Sequence, residues 1–248
     1  MIKIDRIPAP EELTPEVVKD KTERFKADPK INVWSNPYIK DKLMEMSHGK
    51  CAYCECKLNL ESKYMEVEHF HNKNKYPDEV VKWDNLLPAC KSCNGSKNDH
   101  DTIVSPIVNP TIDIPSNHLG FRHYRYVEKD NIGRETIAAL NLNDSERKCL
   151  PRFMVCNSLE EKLDEIENDL NNLSANLSTQ AINKLKNKIQ GLLQSCQSDC
   201  EYTAIKASVM SAHPKFIYLV DQMKANCWWT PMMDEMKDNL YSHALDLV

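Results

Sequence analysis

Glycine is scarce, with only 5 in 248 residues. Together with long polar–apolar patterns, this fits a helical protein rather than a glycine-punctuated one. No apolar run approaches the roughly 20 residues of a membrane span, so no membrane partner is expected. Met1 to Pro10 lacks the apolar stretch of a secretory signal, and the expected location is cytoplasmic. Positive charge is not in excess either. Lys and Arg number 32 against 37 Asp and Glu, a net charge of −5. Neutralisation of phosphates by Lys and Arg supplies most non-specific affinity for nucleic acid. A surface that binds nucleic acid throughout is therefore excluded. What remains is a locally basic cleft on an acidic body, or binding supplied partly by a partner. No internal repeat is present. The length allows one large domain or two small ones, and a hydrophobic share of 41 % is enough for a core.

Cysteine is plentiful. Ten thiols in a chain without a secretory signal favour zinc and reduced thiols over disulfides. The informative stretch runs from Cys51 to Asn98. Cys51 and Cys54 form one Cys-x-x-Cys hook, and Cys90 and Cys93 form a second. Four thiolates from two hooks satisfy Zn²⁺, which favours soft sulfur in closed tetrahedral structural sites. A shared ion would close the segment between the hooks into one compact unit. One hook alone could be a redox pair. Two hooks flanking Glu68-His69 predict a structural zinc. Cys56 is a spare thiol beside it. The bland alternative is a zinc ribbon with no activity, and the residues enclosed by the hooks speak against it.

The order Cys-x-x-Cys, Glu68-His69, Asn85, then Cys-x-x-Cys-Asn-x-x-Lys resembles the HNH endonucleases of the ββα-metal superfamily. The surrounding text, EVEHFHNK, WDNLLPACKSCNGSKND and a following NP, is similar to the HNH subunit of Septu-type antiphage systems, including those found with some retrons. The motif covers about a fifth of the chain, and the remainder is similar to that family only in its helix-rich layout. The resemblance implies a bacterial, metal-dependent nuclease acting on DNA, partnered by an ATPase of the ABC or structural-maintenance type. No Walker A pattern is present, which agrees with ATP hydrolysis by a partner.

Phosphodiester hydrolysis needs a base for water and a cation for the developing charge. His69 suits the base, because imidazole titrates near neutral pH. Glu68 suits a hard-oxygen ligand for Mg²⁺ or Mn²⁺. In the family, the residue after the second hook binds the catalytic metal, a role that falls on Asn94. Asn98, one helical turn on, is a further candidate because positions i and i+4 share a helix face. The family's middle Asn corresponds to Asn85, which is expected to hold the loop and orient the base. Neighbours on a regular strand face opposite sides. Glu68 and His69 can therefore share a site only if the strand ends or bulges there. Lys73 and Lys97 match family positions, with phosphate contact as the expectation. His71 is open between a phosphate contact and a solvated side chain.

The remaining segments read in order as follows. IKIDRI resembles a short strand. Thr14-Pro15 predicts a helix start running to about Ala27, and a second helix spans about Pro37 to Ser47 with Gly49 as its cap. His118 to Val127 alternates like a strand, and Asp130 to Arg134 reads as a hairpin turn. Arg122, His123, Arg125 and Arg134 form the clearest basic cluster. Either it is the polar face of an ordinary strand, or it lines a nucleic-acid groove, with Arg122 and Arg125 as contacts. Glu135 to Asn143 predicts a short helix, with another starting near Asn143. Leu159, Leu163, Ile166, Leu170 and Leu173, then Ile182, Leu185, Ile189 and Leu192, form a/d-type stripes. They predict two long antiparallel helices broken at Ser174–Gln180, with Ser178 or Thr179 as cap. Further helices are expected near His213-Pro214 and at Thr230-Pro231, with Trp228 and Trp229 packing at the junction.

The expected fold is mostly α (α+β). Residues 1–50 form an N-terminal helical segment. Residues 51–148 form an HNH core with the zinc site and a basic hairpin, and 149–248 form a helical domain. The competing readings are a stand-alone restriction-type nuclease and a catalytically silent zinc-bearing interaction subunit.

Overall fold

A computed structural model describes residues 1–59, 64–173 and 178–248. Helices dominate, and no helix among the described residues is long and apolar enough to cross a membrane. The chain forms two compact units. The first is Met1–Leu119 with Tyr126–Asp144, and the second is Gly120–Arg125 with Ser145–Val248.

In the first unit, α1 (Pro15–Ala27) starts as expected. The Thr14 hydroxyl accepts from Val17 N at 3.4 Å, and Pro15 occupies the first turn, where its missing N–H costs nothing. Helix α2 (Pro37–Met46) ends with His48 in the left-handed region at φ 53, and Gly49 N donates to Met44 O at 2.8 Å. His48 and Gly49, the latter at φ 70, both take the left-handed region, and Gly49 closes the six-residue ring as the expected cap. Strand β1 (Met65–His69) pairs antiparallel with β2 (Leu86–Cys90), from Met65 opposite Cys90 to His69 opposite Leu86. Helix α3 (Lys91–Lys97) follows at once and packs on both strands, completing a ββα unit. Phe25, Val33, Val80 and Val81 form a small core beside it, with Trp34 against them.

The IKIDRI segment joins no sheet. It is laced to the unit by single bonds instead. Ile4 N donates to Pro110 O, and the Arg6 guanidinium spans the carbonyl oxygens of Trp83, Asp84 and Leu86 at 2.8–3.0 Å. Further on lie α4 (Pro115–His118), β3 (Leu119–Arg122), β4 (Arg125–Glu128) and α5 (Asn131–Ala139). The expected turn at Asp130–Arg134 is instead a helix start, because Asp130 Oδ1 accepts from Gly133 N at 2.7 Å. The chain reverses earlier, at His123 and Tyr124, with φ of 47 and 64.

The second unit is a helical bundle. A wide turn at Ser145–Cys149 leads into α6 (Leu150–Leu173), followed by α7 (Thr179–Gln194), α8 (Thr203–Ala212), α9 (Pro214–Ala225), α10 (Pro231–Ser242) and the short β5 (Asp246–Leu247). The predicted leucine stripes of α6 and α7 form the centre of its core, and Trp228 and Trp229 pack partly buried against it. Ser178 caps α7, accepting from Ala181 N at 3.2 Å. Residues 174–177 of the expected break lie outside the described residues. The acidic face of α6 is answered within the unit. Lys188 joins Glu165 and Asp169, and Lys215 joins Asp164. β5 pairs in parallel with β3, Gly120 opposite Asp246.

Candidate metal centre and active site

The two hooks meet. The sulfurs of Cys51, Cys54, Cys90 and Cys93 all lie within 4.8 Å of one another, and all four side chains are buried. The first hook is a tight turn in which Glu55 N donates to Cys51 O at 3.0 Å and Cys51 N to Cys56 O at 3.0 Å. The second sits where β2 becomes α3. Cys90 is the helix cap, its sulfur accepting from Cys93 N at 3.4 Å. Pro88 O, on β2, accepts from Ala52 N at 2.8 Å and ties one hook to the other's strand.

Sulfurs at about 2.3 Å from a tetrahedral zinc stand about 3.8 Å apart. The Cys54 and Cys90 sulfurs are 3.7 Å apart. Bonds from Cys51 pull Cys54 and Cys90 well below the ordinary thiol range, while burial pushes Cys51 well above it. Four buried sulfurs converging at this spacing fit Zn²⁺ in chemistry and geometry. Cys56 is buried against the same sulfurs but outside the four that mutually converge.

Beside the hooks, a cavity of about 210 Å³ is lined by Trp34, Glu68, His69, Lys73, Asn94, Asn98 and Asp99, among others. β1 ends at His69, and its pairing with β2 is regular to that residue. Glu68 and His69 both line the cavity, at the end of a strand that carries no bulge. His69 Nε2 lies 2.8 Å from Val80 O. A carbonyl oxygen only accepts, so Nε2 carries the hydrogen and Nδ1 holds the lone pair of the neutral ring. Trp34 meets the ring edge-on at 4.9 Å between centroids. Burial lowers the His69 pKa to about 3, only partly opposed by the bond to Val80. The ring is therefore neutral at physiological pH.

Glu68 is buried, with Lys97 Nζ 2.8 Å from Oε1 and the Tyr53 hydroxyl donating to the same oxygen at 3.3 Å. Burial raises its pKa, with Lys97 the chief opposing influence. Asn94 Nδ2 donates to Glu66 Oε2 at 2.6 Å, which leaves the amide oxygen as the atom Asn94 can offer a cation. Hard oxygens of this kind suit Mg²⁺ or Mn²⁺.

Three expectations require correction. Lys97 does not face phosphate. Its side chain is 1 % exposed and bonded to Glu68 and His69 O, because a buried ammonium needs a carboxylate and a carbonyl around it. Asn85 does not touch the His69 ring. Its side chain accepts from His71 N at 2.6 Å and donates to His71 O and Glu79 O, so it braces the loop while Val80 fixes the ring. Asn98 lies past the end of α3 at φ 40, off the helix face that carries Asn94, although it lines the cavity. Lys73 stands at the cavity, its ammonium 5.2 Å from the Trp34 ring centroid. His71 bonds Glu79 at 2.6 Å. Arg122 and Arg125 are exposed residues of the second unit.

Sequence reasoning missed Trp34, Tyr53, Glu66 and Val80. Glu66 had a signal, since strand alternation puts it on the face of Glu68. Val80 had none, because it acts through its backbone.

No family model matches the chain. It is 41 % identical over 204 residues to Septu protein PtuB of Bacillus thuringiensis, covering 80 % of this chain and 79 % of that protein. A Septu protein PtuB of Bacillus mycoides (strain KBAB4) is 30 % identical over 128 residues, 40 % of this chain and 43 % of that one. The chain belongs to the Septu PtuB family.

Proposed function

We propose that this protein is a metal-dependent endonuclease of the HNH type that hydrolyses DNA phosphodiester bonds, as the nuclease of a Septu antiphage complex with an ATPase partner of the ABC or structural-maintenance class. The observation that carries the reading is the His69 ring. One nitrogen is spent on Val80 O at 2.8 Å, and the other is unprotonated in a cavity that also holds Glu68 and Asn94. His69 Nδ1 takes a proton from water, the water oxygen bonds to phosphorus, and the P–O bond to the sugar oxygen breaks, that oxygen leaving with the bonding pair and taking a proton from solvent water. Glu68 and Asn94 would hold the divalent cation. The chemistry such an ion supplies when bound is charge stabilisation at the phosphate and leaving oxygens. Lys73, at the cavity, is the phosphate contact. Asn85 keeps the His71–Glu79 loop in place. The four cysteines with their zinc staple the base of the ββα unit.

The test is nicking of supercoiled plasmid with Mg²⁺ or Mn²⁺, alone and with a genomically adjacent ATPase. Cutting by the parent and not by His69→Ala establishes the enzyme. Equal cutting by both removes His69 from the role. No cutting by folded, zinc-loaded protein under any condition favours a silent zinc module.

A further inference from the structure

The second unit carries a surface that the nuclease reading leaves unused. At its tip, His123 and Tyr124 both adopt positive φ, 47 and 64. Two-residue turns with this backbone favour Asn-Gly, because a side chain crowds the left-handed region. A His-Tyr pair there costs stability. Fully buried Arg152 donates from Nη1 to Tyr124 O at 3.3 Å. The Tyr124 ring meets Phe153 of α6 edge-on, 5.2 Å between centroids. Phe153 is 41 % exposed, and Leu150, on its helix face at i−3, and the next residue Met154 are 53 % and 60 % exposed. Arg122, His123 and Arg125 flank the pair and are exposed.

We infer that Tyr124 and Phe153 form a stacking platform for the unpaired bases of single-stranded nucleic acid, with Arg122 and His123 against its phosphates. Any base presents a π-face to an aromatic ring, and a guanidinium beside it follows the backbone. Charge complementarity selects this occupant. On a chain of net charge −5, the hairpin carries two exposed arginines, Arg122 and Arg125, whose guanidinium groups attract a polyanion. The inference rests on the nuclease reading for the class of ligand and deepens it by naming the form bound.

The test is binding without cleavage. The full chain carrying His69→Ala, zinc-loaded and without added Mg²⁺, is titrated with a labelled oligothymidylate of about 16 nucleotides and with a duplex of equal length. The single strand is expected to bind more tightly. Tyr124→Leu and Phe153→Leu, which keep apolar bulk but remove the ring face, each weaken it roughly tenfold. Arg122→Glu makes the dependence on salt shallower, whereas the leucine variants leave that slope unchanged. Unaltered thermal midpoints show that the variants fold. Equal affinity of parent and leucine variants for the single strand overturns the platform. So does a change in oligomeric mass or in partner-protein binding without a change in oligonucleotide affinity, which makes the patch a protein interface. Plasmid nicking by the parent is scored separately, so failure of the platform and failure of the nuclease reading are told apart.

Discussion

Lys97 Nζ lies 2.8 Å from Glu68 Oε1, with the two side chains 1 % and 3 % exposed. The pair joins the end of α3 to the end of β1, and its Glu68 lines the cavity. A buried charge without its partner costs far more than the pair contributes. Lys97→Met should therefore destabilise the first unit by about 3–5 kcal/mol, read as a lower denaturant midpoint. Its effect on DNA binding by the protein that remains folded should be small, and the salt slope unchanged. A variant of full stability with a shallower salt slope would restore the phosphate-contact role that burial denies.

His69 gives a prediction with a definite sign. Burial lowers its folded pKa from 6.5 to about 3. Between those values the unfolded chain binds the proton and the folded one does not. The group's contribution is therefore complete above about pH 6.5 and is lost progressively as pH falls toward 3. Urea midpoints should drop between about pH 7 and about pH 5, and His69→Gln should flatten that slope. Identical slopes would mean that the ring is not held neutral. In cleavage, His69→Ala should lose on the order of 10²–10⁴ in rate, the range of a general base.

Two glycines should respond in opposite directions. A Cβ on Gly133 would sit 2.0 Å from His118 O, where α5 begins against the end of α4. Gly133→Ala should cost about 1–3 kcal/mol through this clash. Gly191, within α7, has nothing within 4 Å of such a carbon. Gly191→Ala should stabilise by about 0.5–1 kcal/mol, because alanine loses less chain entropy in a helix. Urea unfolding of both variants decides it, and equal shifts would discount the close approach at His118.

What the sequence made legible follows from how each signal is encoded. Caps at Thr14, Ser178 and Thr230, the leucine stripes of α6 and α7, and the convergence of the two hooks are local spacings, and they appear where expected. β2 went unnoticed because all five of its residues are buried, which erases alternation, and Pro88 looks like a break. α8 lies in the stretch expected to be helical, but its bounds were not legible for the same reason. Seven of its ten residues are buried, so no polar face marks the period. The hairpin was misplaced because the turn lies at His123-Tyr124, where no glycine or asparagine announces it. In the site, the burial of Lys97 and the part of Val80 O depend on the fold that closes around them.

The metal centre yields the last prediction. Each of Cys51, Cys54, Cys90 and Cys93 contributes a sulfur within 4.8 Å of the other three, and Cys56 does not belong to that set. The protein should contain one zinc per chain by elemental analysis, in keeping with a single four-thiolate site. Cys90→Ser should lose it. Because Cys90 also caps α3 and ends β2, that variant should lose the cooperative unfolding of the first unit as well, since ion binding and folding are one equilibrium at such sites. Cys56→Ser removes a buried thiol from the same neighbourhood without removing a ligand, so it should keep full zinc content and a near-parental midpoint. Strong chelation of the parent should reproduce the Cys90→Ser phenotype, and zinc should reverse it. Loss of zinc from Cys56→Ser with retention in Cys90→Ser would move the fourth ligand to Cys56 and redraw the knuckle from which the ββα unit hangs.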